Sequence, residues 1–316
     1  MDHRDLDDNL MSLMILPYPH ITAKKPYNGR AGVLKALREW HTSGGSKDPS
    51  MSPLVRLRMD VSEKYNITTD DVAHSEFGML FVSTINAIPT CYWLLSYILR
   101  DPELLEQLQE EVTHIVTTDG NTKTIDISQF SANCPLLVSA YQETMRLSSV
   151  QTGTRFVQDD AEITYTTPEG GEKTYLFKKG AVIQMPTTIA HYDKSIWGLD
   201  ASEFNARRFL KSETTATKDE AKLRRQAFYP FGGGKHLCPG RHLADAEILG
   251  MVTAIMLGFD VEPVSGRWVL PKKIVRFGDG IAKPDVQETP TKVVVTRKKG
   301  WEDVKFAYCV DTKVEE

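Results

Sequence analysis

The sequence predicts a mainly α-helical fold with a small β-rich subdomain. Three observations carry that expectation. Segments that read as helix fill most of the first 150 residues. β-Branched and aromatic runs cluster between Thr154 and Met185, separated by turn residues. A helical pattern then resumes at Pro239 and runs through Leu257.

The bulk properties set limits on function. The chain has 316 residues, 41% hydrophobic and 25% charged, which is the composition of an ordinary soluble globular protein. That length supports one large domain or two small ones. A formal net charge of −4 gives no overall attraction to nucleic acid or an anionic membrane. The four cysteines, Cys91, Cys134, Cys238 and Cys309, are far apart and form no CxxC pair. A zinc ribbon and a disulfide framework are therefore not expected, and a reducing compartment fits. The first twenty residues, MDHRDLDDNLMSLMILPYPH, are acidic with one short apolar run and do not read as a signal peptide.

Taken in order, residues 29–41 read as helix, the following TSGGSKDPSMSP as loop, and residues 53–65 as helix again. Thr68, Thr69, Asp70 and Asp71 can cap the start of a long apolar helix. Its apolar stretch, Phe77 to Leu99, has the length of a membrane span. However, Ser83, Thr84, Asn86, Pro89 and Thr90 sit in its middle and would be costly in lipid. The expectation is a buried core helix whose polar patch faces a site. Asp101-Pro102 ends it and starts another helix, PELLEQLQEEVTHIV, with proline in the first turn. Residues 133–148 read as a further helix. The β-rich part holds TRFVQ, EITYTT, KTYLFKK and AVIQM, and the tail holds an expected strand pair, TKVVVTRK and VKFAYCV.

The segment FGGGKHLCPGR, Phe231 to Arg241, concentrates the chemistry. A phosphate loop is excluded, because His236 rather than Ser or Thr follows Lys235. Two readings of Cys238 remain: a structural cysteine in a glycine-rich turn, and a metal thiolate. Lys235, His236 and Arg241 would supply nearby cations, and the helix expected from Pro239 would supply N-terminal amides. Gly234 and Gly240 let the backbone turn its N–H groups toward the sulfur. One sulfur with no other ligand nearby suits a flat macrocycle whose iron takes a single protein thiolate.

The pattern Phe231-x-x-Gly234-x-His236-x-Cys238-x-Gly240 resembles the haem-binding loop of the cytochrome P-450 family. Upstream, Glu143-x-x-Arg146 resembles the family's ExxR helix pair. Between them, AHYDKSIWGLDASEFNARRFL resembles the segment that runs from a helix-end histidine, His191, to an arginine, Arg208. Three motifs in the family's order identify the chain as a member. The resemblance implies haem b with Cys238 as axial thiolate, His236 and Arg155 at the haem propionates, and Phe231, Gly234 and Gly240 shaping the loop. It implies a Glu143–Arg146–Arg208 network under the haem, and Val150, Gln151 and Thr152 lining the substrate pocket.

Counting back sixteen residues from Pro102 places Asn86 where the family usually carries a threonine, and Ile85 where it carries an acid. The acid–alcohol pair is absent, and NAIPTCYW resembles the branch of sterol 7α-hydroxylases and prostacyclin synthase. An Asn amide can donate and accept a hydrogen bond but supplies no ionisable proton. Pro89 removes the helical bond to the Ile85 carbonyl.

The implied reaction is monooxygenation of a lipophilic secondary metabolite, terpenoid, sterol-like or polyketide. Electrons come from NADPH through a reductase that docks on the basic face of Lys222, Arg224, Arg225, Lys235 and Arg241. The alternatives are a haem-thiolate isomerase or dehydratase that needs no reductase, and a catalytically dead fragment. No nucleic acid is expected as a partner. The match runs from about residue 15 to the C-terminus, and the family's early part, membrane anchor included, is missing. The expectation is therefore one incomplete domain over residues 1–316. Its helical part covers 15–150, its β-rich part and meander 151–235, and its thiolate loop, proximal helix and last strands 236–316. A complete member would sit on the cytosolic face of the endoplasmic reticulum membrane, and this chain without an anchor in the cytoplasm.

Overall fold

The computed structural model describes residues 10–167, 170–210, 217–276, 278–285, 287 and 292–310. The chain divides between Ile88 and Pro89 into two compact units.

The first unit is helical. Short helices α1 (Leu10–Ile15) and α2 (Pro19–Thr22) precede α3 (Lys24–Thr42), α4 (Pro53–Lys64) and α5 (Thr69–Thr84). Helix α3 begins five residues before the expected start, with Pro26 in its first turn, where a missing N–H has no cost. The Ser52 hydroxyl accepts from the Val55 N–H to cap α4, and Thr68 accepts from the Asp71 N–H to cap α5. Helices α3 and α5 pack together, tied by the Arg38–Asp70 ion pair. Arg58 of α4 reaches Glu76 of α5 at 2.7 Å.

The expected long helix is two helices. Helix α5 stops at Thr84, and α6 (Ala87–Leu99) starts after Ile85 and Asn86. Pro89 lies in the first turn of α6 and cannot donate back to Ile85, so the break falls where the missing hydrogen bond puts it. Burial differs between the halves. Trp93, Leu94 and Ile98 of α6 are at most 1% exposed, whereas Leu80 and Val82 of α5 are exposed. Buried-core character therefore belongs to α6. By length and composition alone, Thr69–Leu99 is long and apolar enough to cross a membrane.

In the second unit, Asp101 caps α7 (Pro102–Thr113), which ends three residues before the expected Val116. The chain then forms a hairpin the sequence reading did not anticipate, β1 (Val116–Asp119) and β2 (Thr122–Asp126), around Gly120 and Asn121. The helix expected over 133–148 is α9 (Pro135–Ser148), preceded by the short α8 (Phe130–Asn133). Both oxygens of Glu111, on α7, accept the N–H groups of Leu136 and Leu137 at 2.8 and 2.9 Å, so a side chain from another helix caps α9. Helix α9 is buried along most of its length, from Leu136 to Ser148.

The four expected strands form two antiparallel pairs. Strand β3 (Thr152–Phe156) lies beside β6 (Val182–Pro186), and β4 (Ala161–Thr166) beside β5 (Glu172–Phe177). Short helices α10 (Thr187–Ala190) and α11 (Lys194–Trp197) follow, then α12 (Lys218–Ala227) and α13 (Arg241–Gly258). Helix α13 starts at Arg241 with Gly240 as its cap residue, so Pro239 lies before the helix and not at its first position.

The tail strands do not pair with each other. Strand β10 (Val293–Arg297) runs antiparallel to β7 (Phe259–Pro263), and β11 (Lys305–Cys309) runs parallel to β2. Phe306 and Tyr308 of β11 lie where Gly258 and Gly250 of α13 carry no side chain, which seats β11 against that helix. Strands β8 (Lys273–Ile274) and β9 (Lys283–Pro284) form a last short pair.

Candidate functional site

The buried charged network is built on α9. The Arg146 guanidinium donates to both oxygens of Glu143, from Nε at 2.7 Å and from Nη2 at 2.8 Å. Its Nη1 donates to the carbonyls of Ala201, at 2.7 Å, and His191. Arg208 Nε donates to Glu143 Oε1 at 2.9 Å, and its other nitrogens grip Asp200 and the Trp197 carbonyl. The side chains of Glu143 and Arg146 are fully buried, and that of Arg208 is 5% exposed. Two guanidinium and two carboxylate charges balance, and most donors find acceptors, which is what a desolvated ion cluster requires. The hydrogen bond from Arg208 holds the Asp200 carboxyl below its ordinary range.

His191 links this network to the cysteine loop. The backbone N–H of Tyr229 can only donate, so His191 Nε2 accepts it, at 3.3 Å. Nδ1 then carries the proton and donates to the Arg146 carbonyl at 3.0 Å. Burial lowers the imidazole to about 4, so it is neutral at pH 7. A second clamp comes from Gln151, whose Nε2 donates to the carbonyls of Tyr229 and Pro230 at 3.0 and 2.6 Å. Arg155, on β3, provides a third by donating from Nη2 to the Gly233 carbonyl at 3.0 Å.

Between these clamps the loop closes on itself. The Cys238 N–H donates to the Phe231 carbonyl at 3.0 Å, so that amide is engaged and does not point at the sulfur. Gly232 and Gly234 have φ of 78° and 71°, values that side-chain-bearing residues rarely adopt. Cys238 is half-buried, and Gly240 lies beside it, where a side chain's Cβ would stand 3.9 Å from Sγ. Arg241 Nη1 donates to the Cys238 carbonyl at 3.0 Å. The His236 side chain lies outside the described residues.

The donor set bears on which prosthetic group fits. Among the described residues, no group of three or more His, Cys, Asp or Glu could cage a metal ion. Cys91 and Cys134 are buried, and burial pushes their thiols up to about 11 and about 12. Cys238 alone combines partial exposure, two left-handed glycines upstream and a cation on its carbonyl. That arrangement fits a planar group taking one sulfur and does not fit a multi-ligand cage.

The remaining expected site residues belong to both units. Val150 is half-buried and its N–H donates to the Gly280 carbonyl, while Thr152 is exposed. In the first unit, Ile85 is half-buried and Asn86 exposed at the break between α5 and α6. In the basic group, Arg224 Nε donates to the Ile196 carbonyl at 3.1 Å. Lys222, Arg225 and Lys235 are exposed.

The sequence reading missed several groups. Lys273 Nζ donates to the Leu147 carbonyl at 2.7 Å and contacts the Tyr192 hydroxyl, and burial lowers it to about 8. Glu111 and Tyr229 were also missed. None of these has a sequence signal, because each partner lies dozens of residues away.

Comparison with known proteins places the chain among relatives of one family. The chain is similar to a cytochrome P450 monooxygenase of Gibberella zeae, 35% identical over 300 residues, covering 93% of this chain and 56% of the relative. It is similar to the cytochrome P450 monooxygenase nodJ of Hypoxylon pulicicidum, 34% identical, covering 86% of this chain and 52% of the relative. It also resembles the cholesterol 7-alpha-monooxygenase of Cricetulus griseus, 28% identical, covering 88% and 55%. The chain thus spans about half the length of the curated relatives it matches. The profile of the family described as Cytochrome P450 matches residues 20–285, and the chain belongs to that family.

Proposed function

We propose that this chain carries the haem-thiolate site of a monooxygenase that oxidises a lipophilic secondary metabolite, terpenoid, sterol-like or polyketide. The observation that carries the reading is the Cys238 loop. A half-buried thiol is presented by a loop clamped through His191, Gln151 and Arg155, while Cys91 and Cys134 are packed away. Relatives named for cholesterol 7-alpha-monooxygenation favour a sterol-like skeleton within that class.

Haem b, when bound, would supply the redox chemistry that activates oxygen. Cys238 would give the sulfur ligand, with Arg241 holding the Cys238 carbonyl by a hydrogen bond. Arg155 and His236 would meet the propionates. Phe231, Gly234 and Gly240 would shape the loop. Asn86 would order a water through its amide, and Ile85, Val150, Gln151 and Thr152 would border the substrate, Gln151 also holding the loop stem. The exposed cations Lys222, Arg225 and Lys235, with Arg224 and Arg241 beside them, would receive an acidic reductase that passes electrons from NADPH, an encounter weakened by salt. The working location would be the cytosolic face of the endoplasmic reticulum.

The test is the reduced, carbon-monoxide-bound absorption spectrum of the chain expressed with haem supply. A thiolate-type band that disappears in Cys238→Ala supports the reading. Haem uptake without that band overturns the thiolate assignment, and no uptake places the activity in a longer protein. Turnover without oxygen or electrons would assign an isomerase instead.

A further inference from the structure

Helices α9 and α13 meet through one side-chain hydrogen bond among the described residues. Tyr141 Oη donates to Asp245 Oδ1 at 2.8 Å. Tyr141 is 3% exposed, two residues before Glu143, and Asp245 is half-buried in the second turn of α13. Ile248, Leu249, Val252 and Met256 already bury that face of α13. A phenylalanine facing a leucine would pack there without desolvating a carboxylate, and such replacements are often neutral or stabilising. A partly buried carboxylate at this place therefore calls for another role.

Its neighbours indicate one. Arg241 stands one helical turn before Asp245, on the same side of α13, and its guanidinium donates to the Cys238 carbonyl. Burial raises the Asp245 carboxyl, while the Tyr141 bond and the charges of His242 and Arg241 pull it down. The carboxylate thus lies within electrostatic reach of the cation that holds the cysteine. We propose that Tyr141 and Asp245 are positioning residues for the Cys238 loop: their bond locks the first turns of α13 so that Arg241 stays on the Cys238 carbonyl. The proposal links the helix that carries Glu143 and Arg146 to the sulfur through Tyr141, Asp245 and Arg241. It deepens the haem-thiolate reading and rests on it for function, while the mechanical link stands without haem.

The experiment therefore has two parts, both on the full chain. In the haem-free protein, amide hydrogen exchange is measured for wild type, Tyr141→Phe, Asp245→Asn and the double variant Tyr141→Phe/Asp245→Leu. The Cys238 N–H, bonded to Phe231, and the Ala244 N–H, bonded to Gly240, are the reporters. Tyr141→Phe and the double variant are expected to speed exchange at both by tenfold or more, with amides from Ile248 onward unchanged. Asp245→Asn, which keeps an acceptor for Tyr141, should stay within about threefold of wild type. In the haem-loaded protein, the same two variants should shorten the lifetime of the thiolate-type band at least fivefold, while the thermal midpoint of the double variant is kept. Unchanged exchange at Cys238 and Ala244 overturns the proposal, and so does exchange that rises uniformly along α13. Altered exchange with no haem uptake in wild type leaves the link standing and places the haem-dependent activity in a longer protein.

Discussion

The Glu143–Arg146–Arg208 cluster and the Cys238 loop lie in the same unit and solve opposite problems. The cluster is closed: Glu143, Arg146 and Arg208 are buried, the exposed Asp200 completes the charge balance, and donors and acceptors come from α9, α11 and the chain up to Arg208. The loop is open: its cysteine is half-buried, Gly232 and Gly234 take left-handed φ, and its stem is held by side chains on neighbouring segments. One region converts desolvation into rigidity. The other keeps a reactive atom available by placing its supports outside itself. His191 joins the two, through the Arg146 carbonyl on one side and the Tyr229 N–H on the other.

The sharpest test of that contrast is removal of one charge from the closed region. Glu143→Ala leaves the buried Arg146 guanidinium without a carboxylate and Arg208 with only the exposed Asp200, and is expected to cost about 3–5 kcal/mol in urea unfolding. Cys238→Ala, in the open region, should cost under about 1 kcal/mol. Equal losses would break the distinction.

Acid tests the joint. His191 has a folded pKa near 4 against an ordinary value of 6.5. Its contribution is therefore fully present above pH 6.5 and is lost as pH falls through 4, up to about 3 kcal/mol by linkage. Urea midpoints between pH 7 and 4 should fall, and His191→Gln should flatten the slope. A slope that is unchanged in His191→Gln would assign the acid sensitivity to other groups.

Smaller effects sharpen the picture of how α9 is held. Glu111→Ala frees the N–H groups of Leu136 and Leu137 and should cost about 1–2 kcal/mol, with Glu111→Gln costing less, read from thermal midpoints. Gly234→Ala forces a side chain to φ near 71° and should cost about 1 kcal/mol, with its effect on the thiolate-type band exceeding its effect on stability. A Gly234→Ala protein with a wild-type band would mean that the loop takes its shape from its clamps alone.

Local signals in the sequence located most helices and the strands of the β-rich part. Asp101-Pro102, Thr68 and the run of valines at 293–295 speak for themselves, because caps, proline and β-branched alternation act over a few residues. The signal for the missed hairpin was also present, as Asp119-Gly120-Asn121 between threonine-rich runs. The break at Ile85–Asn86 was legible too, since Pro89 names the carbonyl that loses its donor.

Partnership was not legible in the same way. Strands β10 and β11 were found but paired wrongly, because alternation specifies a strand and a face, not the neighbour. The Arg208 contact to Glu143 spans 65 residues, and the Gln151 contacts to the loop stem span 78 and 79. The motif spacing by itself determined the family and picked out the charged trio that the fold brings together, since those residue types recur in fixed local patterns. Only the tertiary structure decided that Gln151 and His191 clamp the loop, that Glu111 caps α9 and that Tyr141 meets Asp245. Hydrogen bonds between segments far apart in the chain depend on where the packed core places their ends, and no local preference encodes that.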